Sequence, residues 1–146
     1  MTSRGNIRDA IKQAVAGKNR QLSWSITPPT GWEKEVEDGL TTFADPEGVG
    51  ALQFSSVTKT SGDVTDAELV ESIEDMDLAD RPREIAVFGP FAGYTLTTEH
   101  ADGQVGRYWF LRAGSLLLFA TYFCAKQHVG QEAAAIKKAL ASLRLT

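Results

Sequence analysis

The stretch Ser115–Cys124 constrains the fold more than any other part of this chain, because apolar residues occupy both of its alternating faces. In an extended strand, successive side chains point to opposite faces of a sheet. The positions on one face are Leu116, Leu118, Ala120 and Tyr122, and those on the other are Leu117, Phe119 and Phe123. A sheet with one face in water would place polar residues at alternate positions. The sequence therefore predicts a central strand that is covered on both faces.

Further strands and helices are predicted around this strand from the same periodicity argument. Period-two patterns bounded by turn residues recur along the chain, at 22–26, 32–36, 40–44, 49–58, 85–88, 94–99 and 104–112. Apolar residues at helical spacing mark three amphipathic helices, at 7–16, from 65 to about 78, and after Gly130. The inward residues of the last helix are Ala133, Ile136, Leu140 and Leu143. The predicted fold is α+β, an antiparallel sheet of about six to eight strands with helices covering both faces.

Local signals place the ends of several elements. Thr65 and Glu68 have the spacing of a capping box, in which a hydroxyl and a carboxylate satisfy free amides at the start of a helix. Glu37-Asp38-Gly39 predicts a hairpin turn, because glycine tolerates the positive φ that such a turn needs. Phe88 and Phe91 flank a Gly-Pro turn, where they form either the lip of a binding site or the end of the core.

Composition and charge exclude several classes of protein. At 146 residues the chain is predicted to be one domain, 1–146, and its single cysteine excludes an internal disulfide framework. A net charge of −4 argues against a nucleic-acid partner. The most apolar run, Leu116–Ala120, is far shorter than the roughly 18 residues of a spanning helix, and residues 1–20 lack the apolar stretch of a secretory signal. We therefore expect no membrane partner and a cytoplasmic location.

No combination of residues in the sequence indicates catalysis or cofactor binding. Cys124 ends a predicted buried strand, and nothing places either histidine beside it, so we interpret it as a core residue. The acids of Asp75–Asp80 resemble the start of a calcium loop, but the glycine and glutamate that this loop requires further on are missing. We therefore predict no catalytic, metal or cofactor site, and a protein that is not an enzyme.

Charge is unevenly distributed along the chain. Residues 33–84 hold 15 acidic and 4 basic side chains, whereas residues 1–32 and 85–146 have net charges of +4 and +3. Acids continue to the C-terminal end of the predicted middle helix, where they oppose the helix dipole. This cluster is either a solvated face or a surface that docks a basic protein. The candidate docking residues are Glu68, Glu71, Glu74, Asp75, Asp77, Arg81 and Arg83.

The order of these features resembles the PsbP-like superfamily. The similarity begins at Leu22–Trp32, a strand that runs into a Pro-x-Gly-Trp turn, and continues through Ala51–Ser55, the acidic helix, Tyr108–Phe110 and a closing helix at Ala141–Arg144. It covers about residues 21–145. The resemblance implies a layered antiparallel sheet with helices on both faces; the N-terminal helix predicted within residues 1–20 precedes this region.

The superfamily includes extrinsic photosystem proteins, a small Ran-binding nuclear import factor and many bacterial proteins. The resemblance implies a role in binding or assembly rather than in catalysis. It implies no site residue, because none of the shared motifs is a site motif. The first helix and the lack of a lumenal targeting sequence set this chain apart from the photosystem proteins.

Two functions are consistent with these observations. The first is a non-enzymatic bacterial protein-binding module, of the immunity or secretion-accessory type, whose acidic surface engages a basic protein partner. The second is a carrier of a small apolar ligand in a pocket between the sheet and the helices. A closed aromatic cavity of a few hundred Å³ would favour the carrier, and a filled core would oppose it. We also expect Leu118 and Phe119 to be buried on opposite faces of one strand. The sequence leaves open whether the chain is a monomer or a homodimer.

Overall fold

The computed structural model describes residues 23–146. The strands are β1 (Trp24–Ser25), β2 (Glu33–Glu37), β3 (Leu40–Ala44), β4 (Gly50–Thr58), β5 (Arg83–Phe88), β6 (Phe91–Glu99), β7 (Gln104–Ala113), β8 (Leu116–Ala125) and β9 (Arg144–Leu145). The helices are α1 (Asp66–Asp75) and α2 (Ala133–Ala141), and a single 3-10 turn spans Lys126–His128. The helix predicted at residues 7–16 lies outside the described residues.

Seven strands form one antiparallel sheet in the order β2-β3-β4-β8-β7-β6-β5. Within β2–β4 and within β5–β8, strands that are adjacent in the sheet are also consecutive in the chain. The sheet therefore consists of two meanders. The two meanders meet along one seam, where β4 pairs with β8 from Gly50 opposite Cys124 to Thr58 opposite Leu116. A separate short antiparallel pair joins β1 to β9.

The alternation in β8 divides the core into two clusters, one on each face of the sheet. On what we call the α2 face, Leu116, Leu118 and Ala120 of β8 belong to one cluster with Ile136 and Leu140 of α2. On what we call the α1 face, the complementary residues pack with helix α1. These are Leu117, Phe119, Phe123, Tyr108 and Phe110 from the sheet and Leu69 and Ile73 from the helix.

The structure is α+β with an antiparallel sheet, as the sequence predicts, and it is mostly sheet. The finer expectation, that helices cover both faces, is not confirmed. Each helix is only nine or ten residues long and reaches part of its face. The outer strand β5 leaves Ile85 and Val87 79% and 63% exposed. Leu118 is fully buried as expected, whereas Phe119 is half-buried.

Turn chemistry explains how two of these elements begin and end. Asp38 and Gly39 have φ values of 51° and 80°, so the β2–β3 hairpin turns on two left-handed residues as its sequence predicts. At the end of α1, Asp77 adopts φ 59°, its amide donates to the Glu74 carbonyl, and the Leu78 amide donates to the Ile73 carbonyl. This is a Schellman motif with aspartate at the position that usually holds glycine.

The structure corrects two predicted boundaries. Helix α2 ends at Ala141 rather than near Arg144, because Leu143 turns into the core and Arg144–Leu145 pairs with β1. Strand β6 begins at Phe91, three residues earlier than predicted. Phe91 is fully buried at the end of the core, while Phe88 is half-buried, packs against the same cluster and borders a groove.

Candidate functional site

A groove with a volume of about 470 Å³, partly open to solvent, lies between helix α2 and the α2 face of the sheet. Strands β5–β8 form one wall, and the 3-10 turn region with α2 forms the other. The residues that line it are Phe88, Thr97, Val105, Arg107, Trp109, Tyr122, Cys124, Val129, Gly130, Ala133, Ile136, Lys137 and Leu140. Most of these side chains are apolar.

Side-chain size accounts for the groove. Helix α2 is rich in alanine, and Ala133 faces the groove at the start of the helix. On the sheet, Thr97 and Val105 present short side chains to the same space. Close packing requires large and small side chains to interdigitate, so short residues on both walls leave volume between them.

One lining residue, Tyr122, makes a polar contact with the residue that precedes α2. The Tyr122 hydroxyl donates to Glu132 Oε1 at 2.6 Å, which ties β8 to the N-cap residue of α2. Burial, and next the hydrogen bond to Glu132, raise the pKa of Tyr122 well above its usual range, so the hydroxyl stays protonated. Gly50 makes room for this ring, because a Cβ there would lie 2.6 Å from the Tyr122 hydroxyl oxygen.

Among residues 23–146, the side chains that line the groove include two cations and no acid. Arg107 Nε donates to Thr95 Oγ1 at 3.1 Å, and its guanidinium carbon lies 5.5 Å from the centre of the Trp109 ring. Lys137 projects from α2 and is exposed. The groove therefore combines an apolar wall with positive charge at its edge.

Glu68, the first of the predicted docking residues, is used inside the protein. Its carboxylate accepts from the Thr65 amide at 2.9 Å, while the Thr65 hydroxyl accepts from the Glu68 amide at 3.1 Å. The predicted capping box is thus confirmed. The same carboxylate forms an ion pair with Lys59 at 3.0 Å. These contacts assign Glu68 to holding the start of α1.

The other predicted docking residues are distributed over the end of α1 and the start of β5. Glu71 is half-buried, and the remaining carboxylates Glu74, Asp75 and Asp77 are exposed. Arg81 is exposed as well, and Arg83 lies 4.9 Å above the ring of Tyr94.

Arg83 is placed near the start of α1 rather than near its acidic end. The Tyr94 hydroxyl donates to Asp66 Oδ1 at 2.6 Å, at the first turn of the helix. That hydrogen bond, followed by burial, raises the pKa of Tyr94. The structure therefore brings one predicted cation to the N-terminal turn of α1 and does not group it with the exposed acids.

The groups considered for catalysis do not meet in residues 23–146. Cys124 is buried on the α2 face, while His100 packs against the Phe123 ring at 5.7 Å, on the opposite face of β8. His128 Nδ1 contacts the Gln131 side chain at 3.2 Å. No cluster of three potential metal ligands occurs in this part of the chain. None of its helices combines the length and hydropathy required to cross a bilayer.

Comparison with known proteins gives similarity in fold alone. Neither a protein-family model nor a curated protein matches the sequence. A crystal structure from Bacteroides thetaiotaomicron superposes with a TM-score of 0.62 and 14% identity over 84% of this chain, which spans 45% of that protein. LpqN of Mycobacterium tuberculosis, which is involved in cell envelope biogenesis, superposes with a TM-score of 0.60 and 14% identity. The alignment covers 86% of this chain and 84% of LpqN. The resemblance to the PsbP-like superfamily stays a prediction.

Sequence reasoning did not find the residues that line the groove as a set. Arg107 and Lys137 lie thirty positions apart on a strand and a helix, and no motif joins them. One signal was available in the sequence: residues 85–146 carry six basic and three acidic side chains in an otherwise acidic protein.

Proposed function

We propose that the protein binds a small apolar ligand in the groove between α2 and the sheet. The observation that carries the proposal is the groove itself, with a volume of about 470 Å³ and a wall built mainly from apolar and aromatic side chains. Small-molecule sites in proteins are usually clefts of roughly 300–1,000 Å³ with this kind of lining. The sequence-based criterion for a carrier is a closed aromatic cavity, whereas this groove is partly open to solvent and has Phe88, Trp109 and Tyr122 as the aromatic part of its lining.

The energetics of packing support this proposal. An unfilled apolar groove forgoes dispersion contacts and leaves apolar surface in water. Val129, at the edge of the groove, is 55% exposed. A ligand with an apolar body would cover this surface.

A titration with the neutral fluorescent probe N-phenyl-1-naphthylamine tests the proposal, since its emission rises on entering an apolar site. We expect saturable binding by the wild-type protein. Ala133→Trp would place an indole in the groove and should abolish binding. Ala134→Trp is the matched control: Ala134 is equally exposed on the next position of α2 but does not line the groove.

The two variants distinguish binding in the groove from binding elsewhere on the protein. Loss of binding in Ala133→Trp with retention in Ala134→Trp would support the groove as the site. Equal binding by both variants, or no saturable binding by the wild-type protein, would overturn the proposal. The probe should also raise the midpoint of thermal unfolding of the wild-type protein in proportion to the logarithm of its concentration.

Docking of a basic protein remains a second candidate, on the observation that α1 ends in exposed acids with no base in its last turn. Glu74→Lys and Asp80→Lys would reverse exposed charges and should slow association with a basic partner at low salt. Retention of every partner from a native lysate by the doubly reversed protein would argue against this candidate. The cytoplasmic location and the non-enzymatic character stay predictions.

A further inference from the structure

We infer that the ligand of the groove is a single-chain amphiphile with a carboxylate head group, which Arg107 and Lys137 bind at the edge of the groove. The inference rests on the proposed function, because it names the class of ligand that the same groove takes. The apolar wall accounts for the body of such a ligand, and the two cations account for its head.

Arg107 is held in position, and its guanidinium has unused hydrogen-bond donors. Its Nε donates to Thr95, and its guanidinium lies over Trp109, so the side chain is fixed along the groove wall. A guanidinium has five N–H donors. Within residues 23–146 the bond to Thr95 is its sole hydrogen bond, and no carboxylate forms an ion pair with it.

Lys137 is similarly without an acidic partner in this part of the chain. The three acids of residues 85–146 are all engaged elsewhere. Glu99 pairs with Lys126 at 3.3 Å, Asp102 accepts from the Gln104 amide at 3.0 Å, and Glu132 accepts from Tyr122 at 2.6 Å. Within residues 23–146, no salt bridge joins a carboxylate to either cation of the groove.

The edge of the groove is positively charged, although the protein as a whole is negatively charged. The chain has a net charge of −4, yet in the part of it that the structure describes, both charged side chains that line the apolar groove are cations. Arginine binds planar carboxylates through two parallel hydrogen bonds, and lysine adds a mobile point charge. A carboxylate therefore matches the edge in sign and in geometry.

Competition between two ligands with the same apolar chain tests this inference. Decanoate and decanol should each displace N-phenyl-1-naphthylamine, at about pH 8, where the carboxylate is ionised. We expect decanoate to displace the probe at a lower concentration than decanol. Added salt should weaken the binding of decanoate and leave that of decanol unchanged, because salt screens exposed charges.

Variants of two adjacent lysines provide the matched control. Lys137→Gln should weaken decanoate binding about two- to fivefold, the usual range for an exposed ion pair, and leave decanol binding unchanged. Lys138→Gln removes the same charge from the next position of α2, which does not line the groove, and should change neither ligand. Arg107→Gln should behave as Lys137→Gln does.

Failure of the inference is distinguishable from failure of the proposed function. If the neutral probe does not bind, the proposed function is wrong. If the probe binds but decanol competes as well as decanoate, the function stands and the carboxylate inference is overturned. Equal effects of Lys137→Gln and Lys138→Gln would overturn it as well. The lysine pair decides the question even if Arg107→Gln does not fold.

Discussion

The two faces of the sheet share the same central strands but are packed differently. On the α1 face, Leu69 and Ile73 of the helix are fully buried against Phe110. On the α2 face, helix α2 presents alanines, and the groove remains between the helix and the sheet. Both helices also bury large side chains, Ile136 and Leu140 on α2 as well as those on α1, so the groove arises where short residues such as Ala133 meet the sheet.

The two helices also differ in the contacts that hold their ends. Helix α1 begins with a capping box and an ion pair to Lys59, and it ends in a Schellman motif that buries Leu78. Helix α2 has Glu132 as its N-cap residue, and the side chain of Glu132 makes no capping hydrogen bond. The ends of α1 are therefore held by more local contacts than the start of α2, although the α2-face cluster contains more buried residues than the α1-face cluster, sixteen against eight.

Truncating one buried isoleucine on each helix tests most directly whether the two faces contribute unequally to stability. Ile73→Ala on α1 removes a fully buried side chain and should reduce the free energy of unfolding by about 4 kcal/mol. Ile136→Ala on α2 should cost about 2 kcal/mol, because the space it vacates joins the groove and can fill with water. Urea denaturation measures both. Equal losses would show that the two faces contribute alike.

Removal of the N-cap of α1 should have a smaller effect. Thr65→Ala leaves the Glu68 amide without its hydroxyl acceptor and should reduce the free energy of unfolding by about 1 kcal/mol. Thr65→Ser keeps the hydroxyl and should restore most of this loss. If alanine and serine destabilise equally in chemical denaturation, the capping box does not hold the helix start.

A substitution at the C-terminal end of α1 should raise the free energy of unfolding by about 0.5–1 kcal/mol. Asp77 has a positive φ, which glycine adopts without strain, and its charge opposes the helix dipole. Asp77→Gly should therefore raise the midpoint of thermal unfolding. Asp77→Asn removes the charge alone and should give a smaller increase. A lower midpoint for glycine would contradict the strain argument.

The smallest expected effect is the pH dependence that Glu68 contributes. Partial burial alone would raise the pKa of Glu68, but hydrogen bonds from Thr65 and Lys59 outweigh it and hold the pKa below its ordinary value of 4.5. The ionised form therefore stabilises the folded state fully above that value, and this stabilisation is lost as the pH falls through the lowered pKa. The advantage of the wild-type protein over Glu68→Gln in urea denaturation should shrink in acid. An advantage that stays constant with pH would contradict this assignment.

Most of the sheet could be predicted because its signals are local. The alternation in Gln104–Ala113 and Leu116–Ala125 predicts which residue meets which face, and the two clusters agree with it residue by residue. The capping box and the Asp38-Gly39 turn depend on neighbouring residues alone. Such features survive folding because tertiary contacts do not compete with them.

The groove and strand β9 could not be predicted, since both depend on distant parts of the chain. The two residues of β9 form a strand because they meet Trp24 and Ser25, more than a hundred positions away. The volume of the groove depends on the distance between Ala133 and the side chains of Val105 and Thr97. No periodicity in the sequence predicts that distance. The docking surface predicted from charge included Glu68, because a count of acids does not distinguish a capping carboxylate from a free one.

The seam between the two meanders has a consequence for folding kinetics. Every other strand pair of the sheet is a local hairpin, whereas the β4–β8 ladder joins positions 58 to 74 residues apart, from Thr58 with Leu116 to Gly50 with Cys124. Closing a loop of this length costs chain entropy before any contact compensates it. We expect the meanders to form early and the seam to close late, in the rate-limiting step. The α2-face cluster depends on that closure, because it brings together Leu52 and Phe54 of β4 with Leu116 and Leu118 of β8.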